Sequence, residues 1–188
     1  MMQLVNGRPT AEECAARAPR EVRCYDFLDR LGVPYQRVDH PAADTMEVCA
    51  EIDRVLGAAI CKNLVLANRQ QTAFYLLMIP ADKVFHTKDL SHQLGIARLS
   101  FGSADRMAEL LDVHPGSVSV LALMNDPDRR VRLLIDEDVR KGTFFGCHPC
   151  ENTSSLRLST DDLLHKILPA LGHEPTFVTL PGADAPQG

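Results

Sequence analysis

Apolar positions along the chain recur first at helical spacing and then at strand spacing. Residues 21–31 place Val22, Phe27, Leu28 and Leu31 on one side, with Gly32 as a stop, and predict a helix. A short strand follows at 35–39. Residues 45–56 predict a second helix whose Met46, Val48, Cys49, Ile52 and Leu56 share a broad apolar face, ended by Gly57. Two apolar runs, 59–67 and 72–80, flank the polar turn at 68–71 and read as a hairpin. A short helix at 88–94 stops at Gly95, and a strand at 97–101 leads to Ser103, which caps a helix at 104–111. Two β-rich runs, 118–124 and 132–135, surround the turn at 125–128 and predict a second hairpin. Short strands at 143–145 and 155–158, a helix at 161–168 capped by Thr160, and a strand at 176–180 complete the pattern. Hairpins mix with helices and regular βαβ alternation is absent, which argues against a Rossmann sheet. The expected fold is mixed α/β: a largely antiparallel sheet curling toward a partial barrel, flanked by helices. Residues 11–180 are expected to form one domain, between flexible ends at 1–10 and 181–188 that are polar and rich in Gly and Pro.

Composition narrows the function classes. The chain of 188 residues has 45% hydrophobic residues and no apolar run of the ~18 residues a bilayer span requires. Its N-terminus lacks a signal-peptide pattern, so a cytoplasmic location is expected. Twenty basic against 25 acidic residues leave a net charge of −5, which argues against a protein that coats DNA or RNA non-specifically. A local grip on one end of an RNA remains open at Arg129, Arg130, Arg132, Arg140 and Lys141, although a solvated loop and strand edge is the favoured reading of these residues. Of six cysteines only Cys147 and Cys150 are closely spaced, and no second pair exists to complete a four-ligand zinc site. Reduced thiols and no metal are expected.

Three segments carry candidate chemistry. Lys62, beside Asn63, interrupts an apolar strand; it is either a snorkelling edge lysine or a group that meets an anion. The segment His114-Pro115-Gly116-Ser117-Val118-Ser119 is a turn whose Gly116 can present backbone N–H groups to an anionic oxygen, or a plain tight turn. His148, Pro149 and Asn152 crowd with two thiols between short strands, where sites tend to lie.

These segments, with the runs CKNLVLAN, FGSADRMAELLDVHPGSVSVLALMND, LLIDEDV and FFGCHPCENTSSLRLSTDDLL, resemble the YbaK/ProX-type aminoacyl-tRNA deacylases. They resemble especially the freestanding members that clear alanine from proline tRNA. The similarity runs from about residue 20 to about residue 180. It implies the prolyl-tRNA editing fold, no cofactor, no metal and no covalent intermediate. The family's lysine matches Lys62. Its glycine loop matches Gly116, Ser117, Val118 and Ser119, with Val120 where the family usually has proline. Its His-Pro-x-x-Asn motif matches His148, Pro149 and Asn152.

On this resemblance Lys62, Gly116, Ser117 and His148 are the expected catalytic residues, and Asn63, Val118, Ser119 and Asn152 the expected substrate-binding ones. The Gly116 and Ser117 amides would stabilise an oxyanion. Lys62 would hold the terminal phosphate or ribose, and His148 and Asn152 the α-amino group or ribose. The implied partner is the acceptor end of the tRNA for proline, with prolyl-tRNA synthetase as a further candidate; no membrane or DNA is called for. Three alternatives stay open: a binding module of the same fold without catalysis, a deacylase for serine or cysteine, and a thiol or metal protein centred on Cys147, His148 and Cys150.

Overall fold

A computed structural model describes residues 2–43 and 45–182. The side chain of Met46 and residues 183–188 of the expected flexible tail lie outside that set. Two sheets form the frame. The first has the order β1 (Leu4–Asn6), β2 (Gln36–Asp39), β8 (Ser154–Ser159), β7 (Phe144–Cys147), antiparallel throughout. The second has the order β5 (Ser100–Phe101), β3 (Lys62–Ala67), β4 (Phe74–Ile79), β6 (Val131–Asp136), β9 (Thr176–Val178). Its β5–β3–β4 part is antiparallel, whereas β4–β6 and β6–β9 are parallel.

The sheets meet where β7 passes the entry to β3. The Cys61 amide donates to the Gly146 carbonyl at 2.9 Å, and the Gly146 amide to the Ala59 carbonyl at 2.9 Å. A Cβ at Gly146 would sit 3.0 Å from both the Ala59 oxygen and the Ile60 Cα, so this approach requires glycine. The nine strands thereby form the expected curled, mixed α/β arrangement.

Alternation along β4 sends side chains to two cores. Phe74, Leu76 and Met78 join Val65, Val131, Leu133, Leu156 and Leu158 between the sheets, closed by Tyr25 and Leu28 of α2 (Pro19–Arg30). Tyr75, Leu77 and Ile79 join Leu66, Leu134 and Leu90 of α4 (Thr87–Leu94) on the other face. Both faces of β4 are covered, so its six residues are all buried and read as an unbroken apolar run.

Helix α3 (Met46–Leu56) is capped by Thr45 and ended by Gly57 in the left-handed conformation, φ 67°. Helix α5 (Ala104–Leu111) is capped by Ser103. The final helical segment is α7 (Thr160–Asp162), a π-turn (Leu163–Ile167) and α8 (Leu168–Leu171), with Ser159 rather than Thr160 as its cap.

Three expectations are corrected. Residues 118–124 are not a strand, and there is no second hairpin at this point: Val120–Asn125 is a 3-10 helix. Ser119 Oγ accepts from the Leu121 amide and caps it, and Val120 to Leu123 are buried on every side, so the run has no polar face to betray its period. Strand β6 instead runs parallel to β4, its start pinned by the Asp126 carboxylate, which accepts from the Arg130 and Val131 amides at 3.0 and 2.8 Å. Residues 4–6, expected to fray, form β1 against β2. Helix α1 (Ala11–Ala15) follows, and Thr10 with Glu13 makes its capping box. Among the described residues no helix is long and apolar enough to cross a membrane.

Candidate active site

A cavity of about 520 Å³ opens where the two sheets join. Its wall includes Ala50 and Asp53 of α3, Lys62 and Asn63 of β3, Gly116 and Val118 of the glycine loop, and His148 after β7. Four separated segments thus converge on one space. Five of the eight residues expected from sequence line it.

Lys62 is the first residue of β3, paired with Ile79, and shares a strand face with Leu64 and Leu66. It is exposed, and its Nζ donates to the Lys83 carbonyl at 3.0 Å. The charge meets a neutral acceptor, which leaves it available to an anion. The Asn63 amide nitrogen donates to the Cys61 carbonyl at 3.1 Å, while its Oδ1 is buried without a partner. An unmet buried acceptor beside a cavity is suited to a ligand hydroxyl.

Gly116 has φ 88°, a conformation that other residues adopt only under strain. Neither the Gly116 nor the Val118 amide has a hydrogen-bond partner among the described residues. The Ser117 expectation is corrected. Its amide and its hydroxyl both donate to the His114 carbonyl, each at 3.0 Å, and the side chain is buried away from the cavity. Ser117 closes the turn, so its amide is already spent. Ser119 is wholly buried as the cap of the 3-10 helix and does not line the cavity either. Asn152 lies at the edge: its Nδ2 is 3.8 Å from where a Gly116 Cβ would stand, and its carbonyl accepts from the Ala43 amide.

The His148 Nδ1 lies 2.9 Å from the Ser154 carbonyl and 3.3 Å from Ser155 Oγ. A carbonyl only accepts, so Nδ1 carries the proton and Nε2 is an acceptor. Burial lowers the His148 pKa below 6.5, the Ser154 contact opposing it, and the ring is neutral at physiological pH. His40, not singled out in the sequence, stands behind it with ring centres 6.0 Å apart. Its Nδ1 donates to the Pro41 carbonyl at 2.7 Å, and its Nε2 accepts from Ser155 Oγ at 2.8 Å. Burial lowers its pKa as well. Ser155 therefore ties two neutral imidazoles into one oriented chain. The only hint in the sequence is that His40, like His114 and His148, is followed by proline.

Cys147 and Cys150 are buried, and the Cys150 sulfur lies 3.5 Å from that of Cys24. Burial raises the Cys147 pKa and pushes the Cys61 thiol to about 12. Both are protonated at neutral pH and poor as nucleophiles or ligands. Among the described residues no three His, Cys, Asp or Glu side chains converge as a metal-ligand set. Three of the five basic residues singled out have acidic neighbours: Arg130 lies by Glu109, Arg140 by Glu137 and Lys141 by Asp138, while Arg132 lies over the Tyr75 ring.

Comparison with known proteins decides the family. The pattern of the aminoacyl-tRNA editing domain matches residues 40–166, more than half of the chain and all of the cavity wall. The chain belongs to the aminoacyl-tRNA editing domain family. This editing domain is 31% identical over 146 residues to the prolyl-tRNA editing protein ProX of Acetoanaerobium sticklandii, covering 78% of this chain and 88% of that protein. It is 30% identical over 169 residues to prolyl-tRNA synthetase associated domain-containing protein 1 of Danio rerio, covering 88% and 91%. A solved structure described as a candidate trans-editing enzyme for prolyl tRNA synthetase superposes with a TM-score of 0.63 at 17% identity, covering 88% of this chain and 99% of that one. That structure shares the editing-domain fold.

Proposed function

We propose that this editing domain is a trans-acting hydrolase that removes alanine from mischarged tRNA for proline. The observation that carries the reading is the convergence of Lys62, Asn63, Gly116, Val118 and His148 on one cavity. The substrate is an activated ester between an amino acid and a terminal ribose hydroxyl. Its hydrolysis calls for an oriented water and donors for the developing oxyanion. The Gly116 and Val118 amides are the donors. The Val118 amide takes the place first expected of Ser117, because it is unspent and at the cavity wall. The neutral His148 Nε2 accepts a proton from water or from the vicinal ribose hydroxyl. Water adds to the ester carbonyl, the bond to the ribose oxygen breaks, and that oxygen takes the proton. The products are free alanine and tRNA with its terminal hydroxyl restored. Asn63 Oδ1 accepts from ribose, and Lys62 leaves the Lys83 carbonyl for the terminal phosphate.

Selectivity limits supply the reason for such an enzyme. A pocket built for proline rejects the smaller alanine poorly, since each missing methylene costs only ~1–3 kcal/mol. A second pocket can then correct the error. The test is a deacylation panel of alanine, serine, cysteine and proline on tRNA for proline. Alanine is hydrolysed fastest and proline spared. Hydrolysis of serine or cysteine in preference to alanine would move the substrate assignment, and hydrolysis of none would make the domain a binding module.

A further inference from the structure

We infer that Asp53 receives the α-ammonium group of the aminoacyl ester, which confines the enzyme to substrates with a free α-amine. The inference rests on the deacylase reading and names the part of the substrate that the cavity recognises. Asp53 is the sole carboxylate on the cavity wall among the described residues. Around it the wall is apolar or weakly polar: Ala43, Cys49, Ala50, Ile60, Val118. An aminoacyl ester carries one cation at its amino acid. Placing that cation against such a wall without an anion would cost far more than the small side chain of alanine could return.

The carboxylate has a vacancy for it. Oδ1 accepts from the Ile60 amide at 3.0 Å, while Oδ2 has no hydrogen-bond partner among the described residues and forms no ion pair. Burial raises the Asp53 pKa above its ordinary value, with the Ile60 amide opposing it. A cation beside the group would reverse the burial effect, so the half-buried acid gains from the substrate what the fold does not supply. The neutral histidine and the carbonyl-bound Lys62 elsewhere on the wall offer no competing anion. An acylated α-nitrogen has no charge to pair and adds bulk. N-formyl and N-acyl aminoacyl-tRNA, and peptidyl-tRNA, are therefore excluded on charge as well as size.

Asp53→Asn separates this role from a structural one, because the asparagine Oδ1 still accepts from Ile60 while the charge is gone. The probes are 3′-alanylamino-3′-deoxyadenosine, a non-hydrolysable amide mimic of the charged terminus, and its N-acetyl derivative, with binding read by calorimetry. Wild-type protein binds the free-amine probe at least tenfold tighter than the N-acetyl probe. In Asp53→Asn that preference collapses, affinity for the N-acetyl probe changes less than twofold, and KM for alanyl-tRNA rises more than kcat falls. A brace for the Ile60 loop would weaken both probes alike. A wild-type protein without preference, or an Asp53→Asn protein that keeps it, overturns the inference. In either case hydrolysis of alanyl-tRNA by the wild type leaves the deacylase reading standing. A wild type that binds neither probe and hydrolyses nothing overturns both.

Discussion

The Lys62 ammonium rests on a backbone carbonyl, not on a carboxylate, and this sets what the residue can do. It is held in place without being neutralised, so a phosphate can take it at little cost. Lys62→Ala should lower deacylation at least tenfold, about 1.4 kcal/mol of transition-state stabilisation, with the circular dichroism spectrum unchanged. Wild-type rates in the folded variant would remove Lys62 from the mechanism. The paired imidazoles give a pH signature. His40 and His148 both have pKa values held below 6.5 by burial. Their neutral forms therefore contribute stability that is complete above 6.5 and is lost as pH falls through the folded-state values. Melting temperature and activity should be flat above about pH 7 and decline together on acidification, and replacing both histidines with glutamine should flatten the decline in melting temperature. At this scale Lys62, Gly116 and His148 were legible in the sequence because each breaks a local pattern: a charge in an apolar strand, a Pro-Gly turn, a His-Pro pair amid thiols. Asp53 and His40 were not. Asp53 is an ordinary acid on the flank of an amphipathic helix, and only the packing of α3 on β2 and β8, with the Ile60 amide at the Asp53 carboxylate, makes it a cavity residue. Ser117 misled because sequence shows a turn's residues but not which of its amides the turn consumes.

Elements with a polar and an apolar face were readable, and elements buried all round were not. Helices α3, α4 and α5 show a clear period and clear stops, and their observed bounds lie within a residue or so of the expected ones. The 3-10 helix at Val120–Asn125 was mistaken for a strand because a short, wholly apolar run has no period to read. The same helix explains why Val120 can stand where the family has proline. Val120 is the first residue after the Ser119 cap, a position where proline's missing N–H and fixed φ are accommodated. Val120→Pro should keep its melting temperature within a few degrees and its deacylation rate equal or higher. A collapse of either would show that the Val120 amide is needed. Lys83 ties elements together. Its Nζ donates to Asp136 Oδ1 at the end of β6 and to the Leu180 carbonyl, at 2.8 and 3.0 Å, and pairs with Asp138 of α6 (Glu137–Lys141). Asp136 is wholly buried. Lys83→Met leaves that carboxylate without its cation and should cost about 3–5 kcal/mol, read as a lowered denaturant midpoint. An unchanged midpoint would mean that the pair contributes nothing net.

The described residues form two sheets that meet at Gly146, and the cavity lies at that junction. Gly146 lets β7 pass beside the entry to β3 and so brings His148 and Lys62 to one cavity, which the glycine loop also lines. The mixed, curled architecture was legible from the order of hairpins and helices. The parallel β4–β6–β9 register was not, since its partners lie far apart in sequence. The central claim is that backbone amides of the glycine loop, held by Gly116 at φ 88°, stabilise the oxyanion in hydrolysis of alanyl-tRNA. The most direct test is single-turnover hydrolysis of alanyl-tRNA for proline by wild type, Gly116→Ala and Ser117→Ala, with folding checked by circular dichroism. Among the described residues a Cβ at Gly116 meets only Asn152 Nδ2, at 3.8 Å, so the variant suffers from backbone conformation rather than from crowding. Wild type should hydrolyse the ester well above the uncatalysed rate. Gly116→Ala should lose about a hundred- to a thousandfold, the range for a lost oxyanion donor, and Ser117→Ala should stay close to wild type. An inactive Ser117→Ala beside a nearly normal Gly116→Ala would contradict the account and put the hydroxyl, not the amides, at the centre of the chemistry.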